Sequence, residues 1–200
     1  MSATRLPAAE RRVALLDTAC RVFCDSSYHG ATTAAIARRA GVSEPILYRH
    51  FGSKRDLYLA CLDEAWRRLR EVGEAAVAQR GDGVTCVGAV AECYMRSAER
   101  VRLVDLWIQA LTEAREDEVI AAALRDQIRA VHAWFVDLIR TSQAEGLVPA
   151  DRDPVAEAWL FIAGGLLTTI DVRLGGFLGA EGMERVKAAR KAWLLDEARR

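Results

Sequence analysis

Apolar residues recur at spacings of three and four along nearly the whole chain, the period of an α-helix, and no stretch alternates apolar and polar residues long enough to predict a sheet. The first helical segment is expected at Ala9–Asp25. Val13, Leu16, Cys20 and Phe23 share one face there, with Arg11, Arg12, Asp17 and Arg21 largely off it. Ser26–Gly30 ends that segment. Thr32 is a suitable N-cap for a short helix over Thr33–Ala40, and Gly41 makes the turn that follows. Ser43 is expected to cap a third helix, with Glu44 and Pro45 in its first turn, where a carboxylate favours the helix dipole and a missing N–H costs nothing. Ser53 caps a fourth, Lys54–Gln79, which at ~1.5 Å per residue would span close to ~40 Å, too long to belong to a small head alone. Gly81, Asp82 and Gly83 break it. Helices are then expected over Val84–Ala98, Val101–Arg115, Glu118–Ala144, Pro154–Leu174 and Met183–Ala198. The fold class is therefore all-α: a three-helix N-terminal head over residues 1–53, joined by a long helix to a helical-bundle body over residues 54–200.

Composition narrows the function classes. At 52% hydrophobic and 28% charged residues the chain can bury a core, and its formal net charge is zero. The distribution is uneven: residues 1–60 hold nine Lys and Arg against five Asp and Glu, and the remainder reverses the balance, 19 against 23. A basic head on an acidic body suits a polyanionic partner at one end. Met1–Arg12 is polar and no apolar stretch follows it, so no secretory leader is expected. The longest apolar run, Trp159–Ile170, is interrupted by Gly164, Gly165, Thr168 and Thr169, so a soluble cytoplasmic protein with no membrane partner is expected. The five cysteines form no CxxC pair. Cys20 and Cys24 lie one helical turn apart, a spacing open to metal or redox work, but they read as small packing residues, as do Cys61, Cys86 and Cys93. His29, His50 and His132 show no ligand spacing, so neither metal nor cofactor is expected. No nucleophile elbow, phosphate loop or HExxH motif points to an enzyme.

The informative stretch is Thr32–Lys54. Two short helices joined through a glycine make a helix-turn-helix. Ala37 is small enough for the helices to meet, and Ile36, Val42, Leu47 and Phe51 supply the apolar face. The outer side of the second helix is then free to enter a DNA major groove. The sequence here closely resembles the TetR/AcrR family. The shared pattern is Thr32-Thr33, Ile36-Ala37, Ala40-Gly41-Val42-Ser43 and Leu47-Tyr48-Arg49-His50-Phe51, then Lys54 and Leu57, and the resemblance covers roughly residues 9–60.

That resemblance implies contacts to a double-stranded operator. Thr33 would meet phosphate. Ser43, Glu44, Pro45 and Ile46 would face base edges, Tyr48, Arg49 and His50 would reach the backbone or a neighbouring base, and Lys54 would meet phosphate. Glu44 and Pro45 depart from the small or basic residues common in the family. Other readings stay open: Arg38 and Arg39 as a solvated face, Tyr48 as a packing residue, His50 as a cap, and Glu44 as a first-turn charge only.

The body is rich in large apolar side chains, among them Phe135 and Trp159, each of which taken singly fits core packing. The resemblance implies a small-molecule pocket between the fourth helix and the middle of the body, expected near Trp66, Leu69, Tyr94, Trp107, Leu111 and Trp134, with Gln109 and Thr112 as polar members and an apolar or amphipathic effector. Dimerisation is expected through the last two long helices, by Ala158, Phe161, Ile162, Gly165 and Leu166 on one and Val186, Ala189, Trp193 and Leu194 on the other, with internal packing as the alternative. The expected function is a bacterial homodimeric repressor on a palindromic operator, released by its effector. The alternative is a ligand-independent or activating regulator of the same fold.

Overall fold

The computed structural model describes residues 8–195. Among them are nine helices and no strand: α1 (Ala8–Gly30), α2 (Thr33–Arg39), α3 (Glu44–His50), α4 (Lys54–Ala78), α5 (Cys86–Arg96), α6 (Ala98–Glu113), α7 (Glu118–Ala144), α8 (Pro154–Arg173) and α9 (Gly179–Leu195). The expected all-α class is what is found. The expected end of the last helix at Ala198 lies outside the described residues, and its start is earlier than expected, at Gly179 rather than Met183.

The chain forms two compact units. The first takes residues up to Arg70 together with Ser97–Asp126; the second takes Glu71–Arg96 and the residues from Gln127 onward. These units cut the chain elsewhere than the 53/54 boundary expected between head and body. α6 and the start of α7 fall in the same unit as the head helices, and α4 contributes to both units.

In the first unit α1 packs on α6 and α2, and α2 on α3. α1 does not stop at Asp25. It continues to Gly30 through a break at Ser27, which takes φ 65° and ψ 170°, a positive-φ extended conformation that costs a residue other than glycine about 1–3 kcal/mol. Beyond that break Tyr28 closes on Tyr58, ring centroids 4.9 Å apart, and Tyr58 meets Phe23 edge to face at 4.9 Å. Tyr58 is fully buried, and its hydroxyl donates to the Leu106 carbonyl at 2.6 Å, tying α4 to α6. Leu16, Cys20 and Phe23 are buried as expected, but Val13 is 49% exposed. Leu15, Ala19 and Val22 complete the inward face of α1 in its place.

In the second unit Val87 and Val90 of α5, Val136 and Ile139 of α7, Val148, Ala158 of α8 and Leu194 of α9 form one buried cluster, with Trp134, Phe135 and Phe161 packed against it. Gly73 of α4 lets Trp134 approach the helix backbone: a Cβ there would stand 2.8 Å from the indole. Ser142 is fully buried, accepts from the Cys86 N–H at 2.9 Å and donates to the Leu138 carbonyl at 3.0 Å, so it satisfies a donor in the first turn of α5. Glu157 of α8, also buried, accepts from Arg190 at 3.2 Å and from the Trp193 indole at 2.9 Å.

α8 corrects one expectation. It is long and apolar enough by composition to cross a membrane, and 28% of that stretch is buried. Gly164, Gly165, Thr168 and Thr169 interrupt the apolar run, yet the helix stays apolar enough on average to meet that description. The two threonine hydroxyls bond back to the Gly165 carbonyl at 2.7 and 3.0 Å, which removes most of their polarity from the helix surface.

Candidate nucleic-acid interface

The turn between α2 and α3 is built by backbone geometry. The Thr32 hydroxyl caps α2 by accepting from the Ala35 N–H at 3.1 Å. At the other end Gly41 takes φ 69°, which glycine adopts without a Cβ penalty. The Gly41 N–H then bonds the Arg38 carbonyl at 3.1 Å and the Val42 N–H bonds the Ala37 carbonyl at 3.0 Å. This paired closure satisfies two end carbonyls of α2 and sends the chain straight into α3. Ile36, Ala37, Leu47 and Phe51 are buried beneath the pair, and Val42 is half-buried. Ser43 occupies the N-cap position of α3, but its side chain makes no capping bond, contrary to expectation.

With Leu47 turned inward, α3 presents Ser43, Pro45, Tyr48 and Arg49 as exposed residues, with Glu44, Ile46 and His50 half-buried. Thr33 stands apart from the role expected of it. It is 9% exposed, and its hydroxyl faces α3: it donates to Glu44 Oε1 and lies 3.1 Å from the Tyr48 hydroxyl. Thr33 has a single O–H proton, and Glu44 takes it. The Tyr48 hydroxyl is therefore the donor in the second bond. Glu44, expected at a base edge, is the acceptor that ends this chain of hydroxyls.

Lys54 opens α4 immediately after Ser53, whose hydroxyl caps the helix by accepting from the Asp56 N–H at 3.0 Å. The Lys54 ammonium sits 4.7 Å from the Tyr28 ring centroid. Burial lowers its pKa, against the opposing pull of Glu113. Arg12 covers Phe51 at 5.0 Å from the ring centroid. Behind these groups, Arg55 binds both oxygens of Asp117 at 3.0 and 3.3 Å, while Asp117 Oδ1 accepts the Val119 and Ile120 N–H groups that open α7. Sequence reasoning missed Tyr28 and the Thr33–Glu44–Tyr48 chain. Tyr28 lay in a segment read as a loop, and no spacing rule pairs residues 33, 44 and 48 across a turn.

The expected pocket residues are divided between the units. Trp66, Leu69, Trp107 and Leu111 belong to the first, Tyr94 and Trp134 to the second. Leu69 is buried and the aromatic four are half-buried, but Leu111 is 49% exposed and does not form the inner wall expected of it. Gln109 donates to the Phe23 carbonyl at 3.1 Å and Thr112 bonds back to Ile108 at 3.4 Å, so both turn to their own protein backbone.

Of the expected dimer residues, Ala158 has no exposed surface and belongs to the core of its own unit. Phe161 is half-buried under the Arg190 guanidinium, 4.3 Å from its ring centroid. Ile162 and Gly165 are half-buried, whereas Leu166, Val186, Ala189 and Trp193 are exposed. Val155, Trp159, Leu160 and Ile170, which were not expected there, are exposed as well.

Residues 15–61 match the family of bacterial regulatory proteins described as the tetR family. Over 58 residues, 29% of the chain, the sequence is 59% identical to the transcriptional activator FasR of Mycolicibacterium smegmatis, a match spanning 26% of that relative's length. It is 29% identical to the transcriptional regulator BetI of Rhizobium meliloti over 158 residues, which cover 78% of this chain and 75% of that one. A TetR transcriptional regulator from Chloroflexus aurantiacus superposes with a TM-score of 0.75 at 24% identity, covering 92% of this chain and 94% of its own. The head therefore resembles in sequence the DNA-binding segment of tetR-family regulators, and the chain as a whole shares the fold of such regulators.

Proposed function

We propose that the protein acts in the bacterial cytoplasm as a homodimeric repressor, reading a palindromic operator with one α3 in each half-site and releasing it when a small apolar or amphipathic effector binds. The observation behind this is the outer face of α3, exposed on a rigid glycine-closed turn and adjoining Arg49 and Lys54. Ser43, Pro45 and Ile46 face the base edges. Tyr48, Arg49, His50 and Lys54 hold the phosphates that fix register. In this division of labour residues 1–53 read DNA and residues 54–200 bind effector and pair the protomers.

The exposed apolar residues of α8 and α9 face a second copy, since contiguous apolar surface of this kind marks an interaction site. Two heads are then presented about one helical turn of DNA apart, ~34–36 Å, and effector-driven movement along α4 would change that spacing. The identity to a relative named as an activator favours a second reading of regulatory sense, in which the bound protein promotes transcription.

Selection of bound sequences from a pool of random duplexes tests the central statement. Enrichment of an inverted repeat is the expected outcome, and failure to enrich any duplex sequence removes the proposal. Transcription in vitro from a promoter carrying the enriched repeat separates repression from activation.

A further inference from the structure

The hydroxyl chain of Thr33, Glu44 and Tyr48 joins α2 to the outer face of α3, and its direction is fixed by chemistry. A carboxylate only accepts hydrogen bonds. Glu44 Oε1 takes the Thr33 proton, so the Thr33 oxygen can only accept from Tyr48 at 3.1 Å. The Tyr48 ring is 44% exposed beside Arg49, yet its hydroxyl proton points into the protein. What Tyr48 offers outward is oxygen lone pairs, which a phosphate oxygen repels.

We infer that Glu44 is a specificity-determining residue that acts through Tyr48: by ending the hydroxyl chain with an obligate acceptor, it withholds the Tyr48 proton from the DNA backbone and lowers binding that does not depend on sequence. The inference rests on the DNA-binding reading above. Any duplex approaching α3 must break the Tyr48–Thr33 bond before Tyr48 can donate to phosphate. Base contacts along α3 offset that cost at an operator, and random sequence does not. With no acceptor at position 44 the Thr33 proton is free to turn toward the Tyr48 oxygen. The chain then reverses and Tyr48 donates outward. Glu44 is thus a positioning residue for a backbone contact and need not touch a base itself.

A double-mutant cycle on the full-length protein tests this, with a 30-base-pair duplex of random sequence as probe and binding followed by fluorescence anisotropy. Glu44→Ala is expected to tighten binding of that duplex by roughly two- to tenfold, the range of one recovered hydrogen bond. It should tighten the selected operator less, so the specificity ratio falls. Glu44→Met, which keeps the side-chain length but offers no comparable acceptor, should give a gain in the same direction and guards against a folding defect in the alanine variant. Tyr48→Phe removes the proton in question, so in the Y48F background the gain from Glu44→Ala should vanish. Equal gains with and without the Tyr48 hydroxyl would mean that Glu44 acts only by repelling phosphate, and would overturn the inference. So would weaker binding of random DNA by Glu44→Ala. A wild-type chain that binds no duplex removes the DNA-binding reading and this inference together, whereas a wild type that binds and is matched by Glu44→Ala removes this inference alone.

Discussion

Lys54 illustrates how much a single side chain carries. Its ammonium rests over the Tyr28 ring at the opening of α4, close to the positive end of a 25-residue helix, so the cation is held in place and not left to sample solvent. If it neutralises one phosphate, Lys54→Ala weakens operator and random duplexes by a similar factor and lowers the slope of log affinity against log salt by about 0.9. Titrations at several salt concentrations measure this, and an unchanged slope would remove the phosphate contact. Arg68 supports the head from behind. It bonds Asp17 at 2.9 Å and Glu64 at 2.8 Å, linking α1 to α4. Burial pushes the Asp17 carboxyl up, but Arg21 and Arg68 outweigh it and leave it below 3.8. Hydrogen bonding from Arg67, against burial and with help from Arg68, holds Glu64 below 4.5. Both acids are depressed in the folded state, so their stabilisation is full above those ordinary values and fades as pH falls through the lower folded ones. Arg68→Ala should cost about 1–2 kcal/mol at neutral pH, discounted for partial exposure, and the deficit should shrink as the two carboxylates protonate in acid. Thermal melts across that range decide it: a deficit constant with pH would exclude the electrostatic account. Lys54 was legible in the sequence because a family pattern marks it. Tyr28 beneath it and the Glu44 bond to Thr33 were not, because side-chain direction across a turn leaves no trace in residue spacing.

Helices were legible where their ends are chemically marked. Asp153 and Pro154 open α8, with the Asp153 carboxylate accepting from the Val155 N–H at 2.9 Å, and that start was read correctly. Gly41 with Val42 ended α2 for the same reason. The end of α1 was misread because Ser26, Ser27 and Gly30 look like a loop, whereas the gain from seating Tyr28 against Tyr58 and Phe23 carries the chain through a positive-φ serine. α5 was expected two residues early, at Val84. Its first turn is fixed from both sides: the Thr85 hydroxyl accepts from the Gly88 N–H at 3.0 Å, and the Ser142 hydroxyl reaches across from α7 to the Cys86 N–H at 2.9 Å. The second bond joins residues 56 apart and could not be anticipated from local sequence. Ser142→Ala would leave that buried N–H unpaired, at a cost of about 1–3 kcal/mol. A lowered denaturation midpoint with an unchanged denaturant slope is the expected result, and an unchanged midpoint would show that the Cys86 donor finds another partner.

At the scale of the whole molecule the decisive element is α8. A helix that is apolar all round gives no sign of which side faces its own protein, because every face satisfies the same hydrophobic pattern. The stripe expected to pair the protomers ran through Ala158, Phe161, Ile162, Gly165 and Leu166, yet Ala158 is fully buried in its own unit. The outward stripe keeps Leu166 of that set and otherwise passes through Val155, Trp159 and Ile170, the four recurring at spacings of four, seven and four and so lining one side of the helix. Trp159 is held there by His132, whose ring stacks on it at 4.2 Å. In the proposed homodimer a second copy would cover this surface with the same stripe by two-fold symmetry. Ile170 is 48% exposed, so Ile170→Glu should leave helicity intact while placing two carboxylates against each other at a symmetric interface. Sedimentation should show the variant as a monomer at concentrations where the wild type is a dimer. Because each half-site then binds without the other's help, affinity for the inverted repeat should fall by roughly 100-fold or more, while binding of a single half-site changes little. A variant that remains dimeric with undiminished affinity would move the interface away from this side of α8, and the exposed stripe would need a different partner.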